Sequence, residues 1–387
     1  MTNLTFWGLT ASPYQLKMQS LADYAGVPWQ RFPDQASPRQ AVAMLMRLRL
    51  ARTFHTVKRL PQRIQGMDEY PEVPYYTFDG KQFYYDSSGL ALHLDSMELS
   101  CAPFIPEEPA AGFLCRLIDE AFDEFGLYMV HHNRWVTSAH TNVMATMTVR
   151  EMNGVLPPFS RESMENRLAQ RQVRRCPYLF SVASAGYECG MPKALTPPSR
   201  EGFPPTHELL DSAWRRHLAA MEYALGQQSF LLGERFTLAD ASAYGQLGMN
   251  LVDGLAADLL QELAPRTYRW LCMIREGEHR GSDGELATTD ALAPLLQCIA
   301  ETFIPLMRQN EVAYEGALAQ GQRIFNEAAF ERNEALYDGS LMGLPFRSVI
   351  KSFQVVTWRE LRQQWQALDD SVRQELALQF PQLEDWH

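Results

Sequence analysis

The chain has 387 residues, 46% of them apolar and 21% charged, and its 35 Lys and Arg stand against 46 Asp and Glu for a formal charge of −11. At ~100–200 residues per domain, this length holds two or three folded units with full cores, which excludes global disorder, a collagen-like repeat and a disulfide-stapled miniprotein. An acidic chain without a basic tail is a poor match for phosphate backbones, so nucleic acid is not expected as a partner.

The six cysteines (Cys101, Cys115, Cys176, Cys189, Cys272 and Cys298) show no CxxC spacing, so neither a zinc site nor a disulfide framework is expected. The N-terminal residues lack the basic and apolar regions of a signal peptide. No uninterrupted apolar run approaches the ~18 residues of a membrane span, and a cytoplasmic protein is expected.

Leu4 to Leu9 is a short apolar run that suits a buried strand. A turn at Thr10-Ala11-Ser12-Pro13 follows, with Pro13 placed where a helix tolerates proline in its first turn. Tyr14, Met18, Leu21, Ala22 and Ala25 recur at helical spacing, and Gly26 ends the helix. Pro28 to Phe32 reads as a second strand, and Asp34 to Tyr70 as a basic helical segment. Two aromatic runs joined through Asp79-Gly80 predict a β-hairpin. Asp86-Ser87-Ser88 then caps a helix over Gly89 to Met97.

Beyond Pro103, Pro106 and Pro109 the strand signals fade. Phe113 to Phe125 predicts one long amphipathic helix. Met152 to Pro205 reads as an insertion of loops and short helices, Leu209 to Leu225 as a helix, and Thr237-Leu-Ala-Asp240 as a capping box. Gly277 to Gly284 reads as a linker. After it come a helix over Leu292 to Leu306 that Pro305 kinks or shortens, a turn at Tyr337-Asp338-Gly339, a strand at Phe353 to Thr357 and a helical stripe from Leu361 to Leu376.

Three local features carry a resemblance. Ser12-Pro13-Tyr14 sits between the first strand and helix, Val73-Pro74 opens a strand, and Asp86-Ser87 starts the third helix. With Thr237-Leu-Ala-Asp240 in the helical part, the chain resembles the glutathione S-transferase family. The resemblance implies a fold of an α/β thioredoxin-like N-terminal domain (residues 1–100) followed by a mainly α-helical domain (110–276). Residues 285–387 form an extension that standard members lack.

The resemblance also implies roles. Ser12 would be the catalytic hydroxyl that activates glutathione. Val73, ahead of a cis Pro74, would pair its backbone with the cysteinyl part. Ser87 and the helix N-terminus would hold the γ-glutamyl carboxylate, and Asp86 would face the ammonium. Glutathione is then the co-substrate, a small electrophile the partner, and a homodimer the implied assembly, with no metal. A free thiol near pKa ~8.5 is only a few per cent thiolate at neutral pH, and a hydroxyl donor favours the ionised form. Thr10 and Tyr14 are the alternative donors.

The resemblance also implies that the first long helix of the helical domain lines the acceptor pocket, which makes Tyr128, His132 and Trp135 candidate pocket residues together with Tyr14. Adjacent His131 and His132 point ~100° apart on a helix and lack a carboxylate or cysteine at i+4, so they do not form a metal site. The basic clusters Arg47, Arg49, Arg52, Lys58, Arg59, Arg63 and Arg167, Arg171, Arg174, Arg175 read as solvated helix faces. Each site residue also has a purely structural reading. Ser12 and Asp86 would be helix caps and Pro74 a strand shaper in a non-catalytic protein-interaction or ligand-binding module, which is the competing view of the whole chain. A glutathione-dependent isomerase, dehalogenase or lyase would use the same thiolate.

Overall fold

The computed structural model describes residues 4–59 and 73–383. Strand β1 (Leu4–Trp7), helix α1 (Pro13–Tyr24) and strand β2 (Trp29–Phe32) form a βαβ start in which β1 and β2 pair in parallel. Helix α2 (Pro38–Thr53) is closed at its N-terminus by a capping box between Ser37 and Gln40. Strand β3 (Lys58–Arg59) follows, so the basic segment is a helix plus an edge strand; Arg63 of that cluster lies outside the described residues. Strands β4 (Tyr75–Thr77) and β5 (Tyr84–Tyr85) form the expected hairpin through the left-handed Gly80, and α3 (Ser87–Ser96) closes the domain. The sheet order is β2-β1-β4-β5-β3, with β4 antiparallel to β1 and β3 parallel to β5. This is a thioredoxin-like arrangement with one added edge strand.

The long helix predicted from Phe113 is interrupted twice. It runs as α4 (Pro109–Ala121), a π turn (Phe122–Gly126), α5 (Leu127–His132) and a second π turn (Asn133–Thr137). Each π turn adds one residue to a turn and rotates the following face. Against this helix pack α8 (His207–Ala224), α9 (Leu238–Leu247) and α10 (Gly254–Leu263), with α11 (Pro265–Arg275) beyond them and α6 (Met144–Glu151) paired with α7 (Arg161–Arg174). The insertion is therefore built around one helix of 14 residues, α7, besides short turns. Thr237 and Asp240 form the expected capping box; the buried Asp240 carboxylate accepts from the N–H of Thr237 and of Leu231.

Several expectations for the C-terminal third are corrected. The Gly277–Gly284 stretch is packed against α1: His279 bonds the Ser20 carbonyl, and Tyr24 donates to the Ser282 carbonyl. The apolar run splits at Thr302 into α12 (Ala293–Glu301) and α13 (Phe303–Ala319), which leaves Pro305 near an N-terminus, where its missing donor costs little. This stretch, Asp290–Ala319, is long and apolar enough on average to cross a bilayer, although polar residues such as Gln297 and Glu301 interrupt it, and most of its apolar window is buried in the core. After α14 (Glu327–Glu331), Tyr337-Asp338-Gly339 lies inside β6 (Leu336–Leu341); the hairpin turn to β7 (Leu344–Val349) is made by Met342-Gly343, both at positive φ. Phe353 to Thr357 belongs to helix α15 (Ser352–Ala367), where Val355, Trp358, Leu361 and Trp365 share a buried face. The short apolar run matched either period, and the downstream tryptophans decide for the helix. The stripe then breaks at Leu368 before α16 (Asp370–Gln379).

One continuous core joins all three parts. Phe6 and Leu90, Phe113 and Trp214, and Trp358 and Phe380 belong to the same buried cluster.

Candidate active site

The N-termini of α1 and α3 and the cavity-facing side of α4 and α5 enclose a cavity of about 720 Å³. Ser12 is the N-cap residue of α1. Its carbonyl accepts from Gln15 and its N–H donates to Leu9, but its hydroxyl makes no capping bond and lines the cavity. The cap reading of this side chain therefore fails on geometry. The alternative donors are committed elsewhere. Tyr14 donates to the Asp123 carbonyl at 2.9 Å, and Thr10 donates to the Glu151 carboxylate. Burial, reinforced by Glu124 and Asp123, pushes the Tyr14 phenol well above its usual range.

Val73 and Pro74 are joined by a cis peptide bond, and both line the cavity next to Ser12. At the start of α3, Asp86 adopts a φ of 86° and caps the helix by accepting from Gly89 at 2.9 Å. Its other oxygen accepts from Arg59 Nε at 2.5 Å. Parallel pairing of β3 with β5 sets Arg59 opposite Tyr85, which delivers the guanidinium to the start of α3. Ser87 lines the cavity, and so does Arg59, which the sequence reading had left on a solvated face. The ring of Phe353, from the extension, stacks on Arg59 with the guanidinium 4.5 Å from its centroid.

Beneath this end lies a buried charge cluster that the sequence reading did not single out. Lys17 Nζ reaches Ser88 at 2.7 Å, Asp119 at 2.5 Å and Asp123 at 2.6 Å. Two carboxylates share one ammonium. Burial pushes Asp123 up to about 7 although Lys17 pulls it down, and the two carboxylates hold the Lys17 ammonium above its usual range despite burial.

The pocket residues expected on the helical domain divide. Tyr14 and Trp135 line the cavity. Tyr128 and His132 turn into the core: Tyr128 accepts from Gln354 at 3.0 Å and stacks on Phe180, while His132 Nδ1 bonds the Ser181 hydroxyl at 3.0 Å. Burial lowers the His132 imidazole well below its usual value. In their place His131 and Arg134 line the cavity, and so do Arg171 of α7 and Arg175 just past its C-terminus, from one of the two basic clusters. Arg175 pairs with Glu327 of α14 at 2.9 Å, so insertion and extension meet at the wall. No group of three metal-ligating side chains occurs among the described residues.

Residues 204–271 match the family model described as Glutathione S-transferase, C-terminal domain. The sequence matches none of the curated proteins. Among solved structures the chain is similar to the β-etherase LigF from Sphingobium sp. strain SYK-6, with 16% identity, coverage of 72% of this chain and 99% of that one, and a TM-score of 0.41. It is similar to the glutathione transferase GSTFuA3 from Phanerochaete chrysosporium at 13% identity, 71% and 97% coverage and a TM-score of 0.43. A glutathione transferase family member from Pseudomonas fluorescens Pf-5, solved with bound glutathione, matches at 17% identity, 70% and 94% coverage and a TM-score of 0.31. The chain thus joins a thioredoxin-like sheet domain to a mainly helical part, of which residues 204–271 resemble the glutathione S-transferase C-terminal domain.

Proposed function

We propose that the protein binds reduced glutathione in this cavity and activates its thiol for attack on a small electrophile. The observation that carries the reading is the convergence of Ser12, the Val73–Pro74 cis bond, Asp86 and Ser87 on one cavity, with the Ser12 hydroxyl left out of helix capping. In this reading the N–H groups opening α3 and the Ser87 hydroxyl take the γ-glutamyl carboxylate. Asp86, already held by Arg59, faces the ammonium, and Val73 pairs its backbone with the cysteinyl unit. The Ser12 hydroxyl donates to the thiolate and lowers the thiol pKa, each unit representing ~1.4 kcal/mol of preference for the ionised form. The thiol proton leaves to solvent, sulfur forms the new bond to carbon, and the electrophile's leaving group departs with the electron pair. Serine forms no mixed disulfide, so conjugation fits this site better than disulfide exchange.

Calorimetric titration with reduced glutathione tests binding, and Ser12→Ala tests the role. Because the hydroxyl caps nothing, Ser12→Ala should leave Tm within ~1 °C of wild type, whereas turnover should fall by ~10²-fold, in line with the loss of one charge-stabilising donor. Absence of saturable binding at two temperatures would transfer the assignment to a non-catalytic binding module.

A further inference from the structure

Helix α2 is apolar on two faces. Inwards, Ala41, Met44 and Leu48 are buried, the last two in one cluster with Trp7, Phe32 and Tyr75 of the sheet. Outwards, Val42, Met46, Leu50 and Phe54 recur at every fourth residue and are 46%, 51%, 55% and 70% exposed. Residues four apart lie ~40° from one another round a helix, so these side chains form one ridge along the outer face. Arginines flank it: helical spacing sets Arg49 and Arg52 on one side and Arg47 on the other, with Arg39 in the first turn, all exposed. Among the described residues none of the four forms an ion pair; Arg47 donates to the Gly80 carbonyl at 3.4 Å, and Arg52 lies over the Tyr75 ring. From Gln35 to Arg59 the sequence has no Asp or Glu, in a chain of formal charge −11.

Single exposed apolar side chains are ordinary, whereas four in line on one helix, rimmed by cations, mark a surface that binding would cover. We propose that α2 docks the protein on an anionic lipid surface, with the ridge in the headgroup layer and the arginines on the lipid phosphates and carboxylates. Arginine stems can lie along the apolar layer while their guanidiniums stay among the headgroups. The ridge is convex and its cations lie on both flanks, which suits a flat, deformable anionic phase; a protein partner would have to supply a groove with two acidic rims. A nucleic acid would pair the arginines but leave the ridge in water. A second copy in two-fold contact through α2 would set these arginines against their equals. Because the chain as a whole is acidic, the field that attracts α2 repels the rest, which orients the molecule on this face. The inference is separate from the glutathione reading, since none of these side chains lines the cavity.

Co-sedimentation of the full-length protein with vesicles tests the proposal, using phosphatidylcholine alone and phosphatidylcholine mixed equally with phosphatidylserine. At low salt, partition onto the mixed vesicles should exceed partition onto phosphatidylcholine about tenfold, and the excess should shrink as ionic strength rises. Arg49→Gln should lower partition about fivefold, the worth of one cation near an anionic surface. Leu50→Gln should lower it to a similar degree with Tm unchanged, because the side chain faces solvent and glutamine keeps the helix. Phe54→Ser, at the C-cap, serves should Leu50→Gln misfold. Equal partition onto both vesicles, no partition onto either, or partition unchanged by these substitutions would each overturn the docking face. So would retention on immobilised polyglutamate without vesicle binding, which would assign the ridge to an acidic protein partner. A dimer in light scattering that Leu50→Gln dissociates would overturn it in favour of a second copy. Glutathione is absent throughout, so these results are read independently of its binding.

Discussion

Lys17 shows how one residue can decide the chemistry of a neighbourhood. Its ammonium is fully buried and is the shared partner of Asp119 and Asp123. Removing it leaves the buried Asp123 carboxylate without its cation, while Asp119 keeps Ser88, Ser242 and the more distant Arg116, so Lys17→Met should cost ~3–5 kcal/mol, measured by denaturant unfolding at pH 7.5. Burial raises Asp123, which takes up a proton at about 7, above an unfolded aspartate near ~3.9. Between those values the folded state binds more protons than the unfolded state, so this group's contribution to stability increases as pH falls through that window and declines as pH rises through 7. Relative to Asp123→Asn, the wild type should therefore gain Tm between pH 8 and pH 5. A constant difference would show that Asp123 stays ionised. Neither effect was legible from the sequence, since Lys17 sits in an otherwise ordinary helical stripe and its partners lie more than a hundred residues away. The places of Ser12, Pro74 and Asp86 at the starts of elements were legible, because helix starts and X-Pro strand starts announce themselves locally.

At the scale of elements, α1 and α9 set the position of Ser12. They approach closely at Gly245, where a Cβ would lie 2.8 Å from the Pro13 carbonyl oxygen and 2.9 Å from Lys17 Cβ. Since the nearest atom is backbone, α1 would have to move. Gly245→Ala should destabilise by ~1–3 kcal/mol and, by displacing the first turn of α1, reduce turnover more than the stability loss explains. Activity assayed well below Tm separates the two effects, and unchanged turnover would mean α1 tolerates the shift. The long helix shows where periodicity misleads. A constant 3.6-residue phase from the buried Phe113 brings His131, five turns on, to the core face, but the π turn at Phe122–Gly126 adds one residue, so His132 takes the core place and His131 lines the cavity. No single-residue signal marks such a turn. Likewise β3 is only two residues long, too short for a pattern, and Arg59 consequently read as surface.

For the whole molecule, the extension is part of the site and part of the core. Phe353 stacks on Arg59, Glu327 pairs with Arg175, and both reach the cavity wall. The sequence located the extension but not its docking face, because α15 declares an apolar stripe without declaring what covers it. That cover is α4: the Trp365 ring lies 5.0 Å from Phe113, and the two share one buried cluster with Phe303, Trp358 and Leu361. A separately folded appendage would melt by itself. With a shared core, the extension and the helical domain should unfold together, since the surface exposed by losing one would remove the burial that supports the other. Trp365→Ala removes a large, nearly buried ring from that junction and should cost ~3–5 kcal/mol. Calorimetry should then show one transition, shifted downwards by several degrees, and glutathione binding measured below it should be retained, because Trp365 does not line the cavity. Two separated transitions in the variant, with the upper one at the wild-type temperature, would instead make the extension an independent unit. The contribution of Phe353 and Glu327 to the site would then be conditional on docking.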